Sequence, residues 1–176
     1  MATNQVRWVK SLHGAHITEP LIVPGKFQAG STQAIKRGEL LELTGDTNTA
    51  WVPMDSDFNM AANMAIAARE IKAGDPAGYY PIIVPRPGDV FEFALDAADD
   101  LPLGTAVYWS SSEAVTDTAG TNILGNVAGW THYSQIYPQN DNESGAMAKG
   151  TTIAMQARVH ITIQPSNSFY AALQST

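Results

Sequence analysis

Two histidines near the start of the chain have a spacing that suits metal chemistry. The segment HGAH places His13 and His16 three residues apart, and Glu19 follows three residues later. Two imidazoles and a carboxylate form a common ligand set for zinc and other divalent metals. Such a site needs its ligands on a rigid helix or a preformed turn, and Gly14 and Pro20 favour neither. We therefore interpret these residues as polar positions in an extended segment.

Oxygen-rich clusters occur at two further places. Asp96, Asp99 and Asp100 lie within LDAADDLPLG, and QNDNES spans residues 139–144. Carboxylates bind calcium or work as acid–base pairs, but neither cluster has EF-hand spacing or a companion acid at an interpretable distance. Residues 142–144 also match a glycosylation acceptor, although nothing in the sequence suggests secretion. Both clusters are predicted to be solvated loops.

Hydroxyl and imidazole groups are present without the arrangement of a nucleophilic site. Three consecutive serines begin at Ser110, but no histidine is near them in sequence, and His132 and His160 each stand alone. A nucleophile needs a base and an oriented third group. The phosphate-binding patterns GxGxxG and GxxxxGK[ST] and the nucleophile pattern GxSxG are absent from the sequence. We therefore expect a protein that is not an enzyme and that has no cofactor and no metal site.

Composition favours a folded domain that binds other proteins. Of the 176 residues, 44% are hydrophobic and only 15% are charged, against about 25% charged in a typical globular domain. The net charge of -7 opposes binding to nucleic-acid phosphates. The chain has no cysteine, no apolar core of a secretory signal and no apolar run near the roughly 20 residues that span a bilayer. We expect a soluble protein made in the cytoplasm, with neither nucleic acid nor membrane as a partner.

Positive charge is concentrated in the first part of the chain. Residues 1–37 carry a net charge of +4, whereas the rest carries -11. Glycines and prolines interrupt this first segment, so it is predicted to be an extended basic arm that grips an acidic neighbour; a solvated tail is the alternative. Its basic positions are Arg7, Lys10, Lys26, Lys36 and Arg37.

Period-two alternation after residue 38 predicts a β-rich body. In residues 152–163, TIAMQARVHITI, isoleucine, methionine, alanine and valine alternate with polar side chains, which is typical of a half-buried antiparallel strand. VFEFAL and TAVYW follow glycine turns and also alternate. Strands at this spacing indicate a small antiparallel barrel or sandwich.

Two segments are harder to assign. Residues 59–73 match a helix through Met60, Met64 and Ile71, and match a strand through the alternation around Ile66; the β-rich surroundings favour the strand. The run Ile82, Ile83 and Val84 is bounded by prolines, which cannot donate to a ladder. We therefore predict an edge strand there, at a subunit boundary.

Aromatic residues are candidates for both core and interface. The chain has four tryptophans, of which Trp51 and Trp109 are expected in the core. Trp8 lies beside Arg7 and Lys10 in the basic segment and is predicted to anchor an interface, because buried aromatic anchors dominate interface energetics. The C-terminal Phe169, Tyr170 and Leu173 are expected to dock on the body.

Two long segments together resemble a family of viral head proteins. IAAREIKAGDPAGYYPIIVPRPGDVFEFAL, followed by LGTAVYWSSSEAVTDTAGTNILGNVAGW, is similar to the capsid decoration, or cement, proteins of tailed bacteriophages. The similarity covers roughly residues 38–163. It implies a small β-tulip-like domain, usually a homotrimer, that sits on the outer surface of the expanded head and clamps neighbouring major capsid subunits. An N-terminal arm often extends onto the capsid in such proteins.

These observations lead to one set of expectations. The arm is predicted at residues 1–37, the β-rich domain at 38–164 and a C-terminal tail at 165–176. The expected function is stabilisation of a phage capsid by a structural virion protein whose partners are the major capsid protein and copies of itself. A carbohydrate- or host-surface-binding β-module of the virion or tail is the alternative. The predicted interface residues are Arg7, Trp8, Lys10, Lys26, Lys36, Arg37, Ile82, Ile83 and Val84.

Overall fold

Short alternating segments separated by glycine turns form a mainly β structure. The computed structural model describes residues 6–12, 17–27, 34–44, 50–54, 63–95, 101–111, 114–130 and 158–174. Within these ranges it contains eleven strands and one short helix. Their bounds are β1 (Arg7–Ser11), β2 (Ile22–Phe27), β3 (Leu40–Thr44), β4 (Ala50–Pro53), β5 (Met64–Ala67), β6 (Gly78–Ile83), β7 (Asp89–Leu95), β8 (Ala106–Ser111), β9 (Ala114–Thr116), β10 (Ile123–Trp130), β11 (Arg158–Ile163) and α1 (Tyr170–Gln174).

The strands form two sheets, which confirms the predicted mainly β class. One sheet has the order β1-β7-β11-β10-β8-β9, and the other has the order β2-β6-β5-β3-β4. Among the described strands every pairing is antiparallel except that of β9 with β7. Because β9 pairs with both β8 and β7, the pairings of β7, β11, β10, β8 and β9 run in a ring. This arrangement leaves β1 as the additional edge strand of the larger sheet.

The predicted alternation places apolar side chains in a first core. Phe91, Phe93 and Leu95 share one face of β7 and are buried there, as expected. Val159, Ile161 and Ile163 do the same on β11, which is the described part of the long predicted strand. Leu40, Met64 and Ile66 of the smaller sheet enter this core from the other side. The first core therefore lies between the two sheets.

A second core lies on the opposite face of the smaller sheet. It includes Leu41, Ala65, Ala67, Trp51 and Ile82. Because successive residues of β5 enter different cores, all four residues of this strand are buried. The strand prediction for this part of residues 59–73 is confirmed, and residues 59–62 lie outside the described ranges.

One turn sequence recurs at the start of two of the strands. Lys36–Glu39 and Arg86–Asp89 each have a basic residue first, glycine third and an acid fourth. In both turns the acid carboxylate accepts from the backbone N–H of the first residue, at 2.7 Å and 3.1 Å. The glycines, Gly38 and Gly88, have φ angles of 82° and 80°, which favour glycine because it lacks a Cβ atom. The same turn therefore leads the chain into β3 and β7.

The described parts of residues 1–37 are extended, but they do not form an arm separate from the sheets. β1 pairs with β7 at the edge of the larger sheet, and β2 pairs along its whole length with β6. The charge pattern predicted an arm because it reports on solvation and carries no information on strand pairing. One edge strand of each sheet thus comes from the segment before residue 38.

The prediction of an edge strand at residues 82–84 is wrong. β6 lies between β2 and β5 of its own chain, and Ile82 and Val84 are fully buried. Pro81 lies opposite Pro24 of β2. Two prolines that face each other occupy a non-hydrogen-bonded pair of the ladder, because a hydrogen-bonded pair exchanges two N–H groups. A central position is therefore compatible with proline in this register.

The C-terminal residues dock on both sheets. The backbone N–H of Phe169 donates to the Met64 carbonyl at 2.9 Å, and the Asn167 side chain donates to the Ile123 carbonyl at 2.7 Å. Phe169 contacts Trp51 edge to face, with ring centroids 5.3 Å apart. Phe169 and Tyr170 pack against the second core as expected, whereas Leu173 remains 42% exposed. The segment predicted as a tail is therefore part of the folded unit.

We expect Phe169→Ala to lower the free energy of unfolding by about 2 kcal/mol, because it removes partly buried apolar surface and an aromatic pair. Urea unfolding followed by tryptophan fluorescence measures the change. Leu173→Ala is the matched control and should shift stability by less than about 0.5 kcal/mol. Equal effects of the two substitutions would contradict docking through Phe169.

Candidate interaction surface

A cluster of charged side chains lies on the face of the larger sheet that points away from the first core. Glu92 of β7 is only 2% exposed and lies opposite Arg7 of β1 and His160 of β11 in the ladder. Arg7 Nη2 lies 2.8 Å from Glu92 Oε1, and Arg158 Nη1 lies 3.1 Å from the same oxygen. His160 Nε2 lies 3.4 Å from Glu92 Oε2. We call Glu92, Arg7, Arg158 and His160 the Glu92 cluster.

The Glu92 cluster connects three neighbouring strands electrostatically. Its carboxylate is buried, and a buried charge requires partners of opposite sign. Arg158 and His160 are largely covered, whereas the Arg7 side chain is 64% exposed. Arg7 was predicted to contact a partner protein, and the structure places its guanidinium on Glu92 of the same chain. Its exposed part remains accessible at the edge of the larger sheet.

Trp8 and Lys10 lie in different environments, although both belong to β1. Trp8 is partly buried against the first core, and its indole N–H is buried without a hydrogen-bond acceptor among the described residues. Lys10 is exposed and lies opposite Val90 of β7. A β-bulge between these two residues changes the register of the strand. Contact of Trp8 with its own core holds β1 on the sheet, and its role as an anchor for a partner stays a prediction.

The other basic candidates lie in the smaller sheet or in its turns. Lys36 and Arg37 are exposed in the turn that precedes β3. The backbone N–H of Val6 donates to the Gly38 carbonyl at 3.2 Å, so this turn adjoins the start of β1. Lys26 lies on β2 opposite Tyr79 of β6. The five predicted basic residues therefore lie on three segments: β1, β2 and the turn before β3.

Two strands of the smaller sheet expose an apolar face. Cross-strand partners share a face, and β2 and β6 pair Ile22 with Ile83, proline with proline, and Lys26 with Tyr79. Ile22 is 54% exposed and Tyr79 is 72% exposed. We call this surface the β2–β6 outer face, and it consists of Ile22, Pro24, Lys26, Tyr79, Pro81 and Ile83.

The β2–β6 outer face borders the first core, and its reverse side covers the second core. Ile83 is partly buried and packs against the first core. Phe27, Tyr80 and Ile82 point the other way, into the second core. Of the predicted interface residues on β6, Ile83 thus belongs to this face, whereas Ile82 is buried within the chain, as is Val84 just after the strand.

Neither the Glu92 cluster nor the β2–β6 outer face was predicted from the sequence. The polar faces of two strands were visible, since Glu92 alternates with phenylalanines and Arg158 and His160 are two residues apart. The pairing of β7 with β11 could not be predicted, and it brings Arg158 and His160 to Glu92 across 66 and 68 positions of sequence. The outer face likewise depends on the pairing of β2 with β6, which no local pattern specifies.

The residues first considered for chemistry do not form a site in the described part of the chain. His13, His16, Asp96, Asp99, Asp100, His132, Ser112 and residues 139–144 lie outside the described ranges. Ser110 and Ser111 end strand β8. Within the described ranges no group of three or more His, Cys, Asp or Glu side chains is placed to hold a metal ion. Nor does any helix in those ranges have the length and apolar character to cross a membrane.

Comparison with known proteins gives no relative for this chain. No protein-family model matches it, and neither the curated proteins nor the solved structures include a significant match.

Proposed function

We propose that the chain is a structural protein of a tailed-bacteriophage head. In this role it binds the outer surface of the capsid as a decoration protein and stabilises the shell by bridging major capsid subunits. The proposal is supported by the resemblance of residues 38–163 to that family and by the mainly β fold. The observation that carries it is the β2–β6 outer face, because exposed apolar side chains grouped on one surface mark a protein interaction site.

The binding energy in this proposal comes from apolar contact, assisted by charge. Lys10, Lys26, Lys36 and Arg37 are exposed and lie on or beside strands that come from the first 37 residues. Positive side chains increase the rate and specificity of association with an acidic surface. Several copies that contact a shell together bind more tightly than one copy alone, because each further contact is intramolecular.

Protein quantification of purified virions tests this function. We expect the chain at hundreds of copies per particle, on the order of the number of capsid subunits it bridges. Its absence from virions would overturn the proposal, and a handful of copies would instead place it at the portal or tail. Glycan-array binding by the isolated protein without shell binding would support the carbohydrate-binding alternative.

A binding assay with expanded heads should use point variants rather than deletion of residues 1–30. That deletion removes β1 and β2 and so damages both sheets. Lys10→Glu and Arg37→Glu reverse exposed charges without removing a strand. We expect each to weaken binding to heads by about 10-fold or less, since rim charges contribute modestly. Binding that is unchanged in the double variant would exclude a contribution from these basic residues.

A further inference from the structure

The ladder between β5 and β6 stops early and leaves a slot beside β5. The two strands form only two residue pairs, the last of which joins Ile66 to Ile83. Two residues further on, the register would place Pro85 opposite Met64, but proline has no N–H with which to continue the ladder. The backbone N–H and C=O of Met64 are therefore left for a different segment. Residues 167–169, which we call the clip, take these groups instead.

The clip binds β5 as a short added strand. The Met64 N–H donates to the Asn167 carbonyl at 3.0 Å, and the Phe169 N–H donates to the Met64 carbonyl at 2.9 Å. Ser168 lies opposite Met64 in a parallel bridge, and its hydroxyl donates to the Pro85 carbonyl. The clip therefore makes the backbone contact that strand-addition peptides make with a sheet.

Each residue of the clip also makes a side-chain contact of a different kind. The Asn167 amide donates to the carbonyl groups of Ile123 and Leu124 in β10, at 2.7 Å and 3.3 Å. The hydroxyl of the central residue is held at the other side of the slot, and the Phe169 ring packs edge to face on Trp51 of β4. The slot thus selects an amide, a hydroxyl and an aromatic ring in successive positions of one segment.

The clip can open without breaking a pairing between the described strands. β11 ends before it, at Ile163, and the element that the structure describes after it is α1, in which no residue is buried. Its attachment rests mainly on the contacts of three residues. Local openings of this kind require less free energy than global unfolding. The slot is therefore a site that the chain both covers and can uncover.

We propose that the slot beside Met64 is a peptide-binding site that the clip keeps closed. The partner is a protein that presents an extended segment with an amide, a hydroxyl and an aromatic side chain in succession, because these are the groups that the slot binds in the clip. That segment adds to β5 through its backbone and places its ring on Trp51. The inference is independent of the proposed function, since it concerns the purified chain without a shell.

A labelled peptide with the sequence of residues 164–174, QPSNSFYAALQ, tests the inference. Fluorescence anisotropy measures its binding to the full chain and to the full-length variant Phe169→Ala, whose clip has lost the contact with Trp51. Because apparent affinity is reduced in proportion to the fraction of open sites, the variant should bind the peptide at least about 10-fold more tightly than the wild type. Bound peptide should also raise the urea midpoint of the variant, since a ligand of the native state stabilises it.

Two controls locate the binding. Leu173→Ala changes an exposed residue beyond the clip, and this chain should bind the peptide as weakly as the wild type. A peptide in which alanine replaces the phenylalanine should bind the Phe169→Ala chain about 10-fold less tightly than the original peptide. If circular dichroism shows that Phe169→Ala is not folded, Phe169→Leu repeats the measurement with a milder loss of packing.

The absence of saturable peptide binding to the folded Phe169 variant up to about 1 mM would overturn the inference. Equal binding by the wild type and the variant would also overturn it, because the peptide would then bind outside the slot. A wild-type dimer that the peptide dissociates would show that the slot receives the clip of a second copy, which overturns the proposed partner. Absence of the chain from virions would overturn the proposed function alone.

Discussion

We expect Glu92→Gln to lower the free energy of unfolding by about 3–5 kcal/mol. The substitution keeps the shape of the side chain but removes the negative charge that Arg158 and His160 face at 3.1 Å and 3.4 Å. The largely covered Arg158 guanidinium would then lose the buried carboxylate that it contacts. Equilibrium unfolding in urea at neutral pH measures the loss, which is a large share of the about 5–15 kcal/mol that stabilises an ordinary domain.

Two further variants separate the charge effect from a general sensitivity of the fold. Glu70→Gln removes an exposed carboxylate and should change stability by less than about 0.5 kcal/mol. Arg7→Met removes the most exposed member of the Glu92 cluster and should lower stability by less than about 1 kcal/mol. If Glu92→Gln stayed within about 1 kcal/mol of the wild type, the cluster would not hold the three strands together.

The second large effect is expected at Gly125, where two strands approach too closely for a side chain. A Cβ atom at this position would overlap the backbone carbonyl oxygen of Thr162 and lie 2.7 Å from Ile161 Cγ2. A flexible side chain can move away, but the backbone of β11 is fixed by its ladder with β7. We therefore expect Gly125→Ala to destabilise the protein by about 3 kcal/mol, at the upper end of the range for overpacking.

The urea midpoint of Gly125→Ala should fall while the slope of the transition stays unchanged, since the native state remains equally compact. Gly78→Ala is the control, because a Cβ atom there would meet nothing closer than Tyr80 Cε2 at 4.0 Å. That variant should not be less stable than the wild type by more than about 0.5 kcal/mol. Similar stability of both variants would show that β10 and β11 separate without strain.

The alternation of polar and apolar residues was sufficient to predict the strands that have one polar and one apolar face. Phe91, Phe93 and Leu95 point into the first core as alternation predicts, and Val159, Ile161 and Ile163 do the same. The mainly β class followed from such segments and from the glycine turns between them. These features depend on the order of polar and apolar residues within a short segment, and this order can be read directly from the sequence.

The alternation within a segment could not predict which distant segments pair with each other. The prolines around Ile82 predicted an edge strand. However, Pro24 and Pro81 lie opposite each other at a position where β2 and β6 exchange no backbone hydrogen bond, so proline is compatible with a central strand there. The positive charge of residues 1–37 predicted an arm, although β1 and β2 belong to the sheets. The β2–β6 outer face and the Glu92 cluster both required these pairings. A candidate surface built from two strands therefore becomes visible only with the fold.

The pairing of β7 with the first and the last of the described strands has a consequence for synthesis on the ribosome. β7 binds β1, the first of the described strands to be made, and β11, the last of them. The nascent chain can therefore complete neither the ring of strands nor the first core until residue 163 has emerged. Until then Phe91 and Phe93 lack their partners from β11, and exposed strands of this kind associate with one another. Folding of the larger sheet therefore has to wait for synthesis of β11, and chains that terminate before β11 should be prone to aggregate.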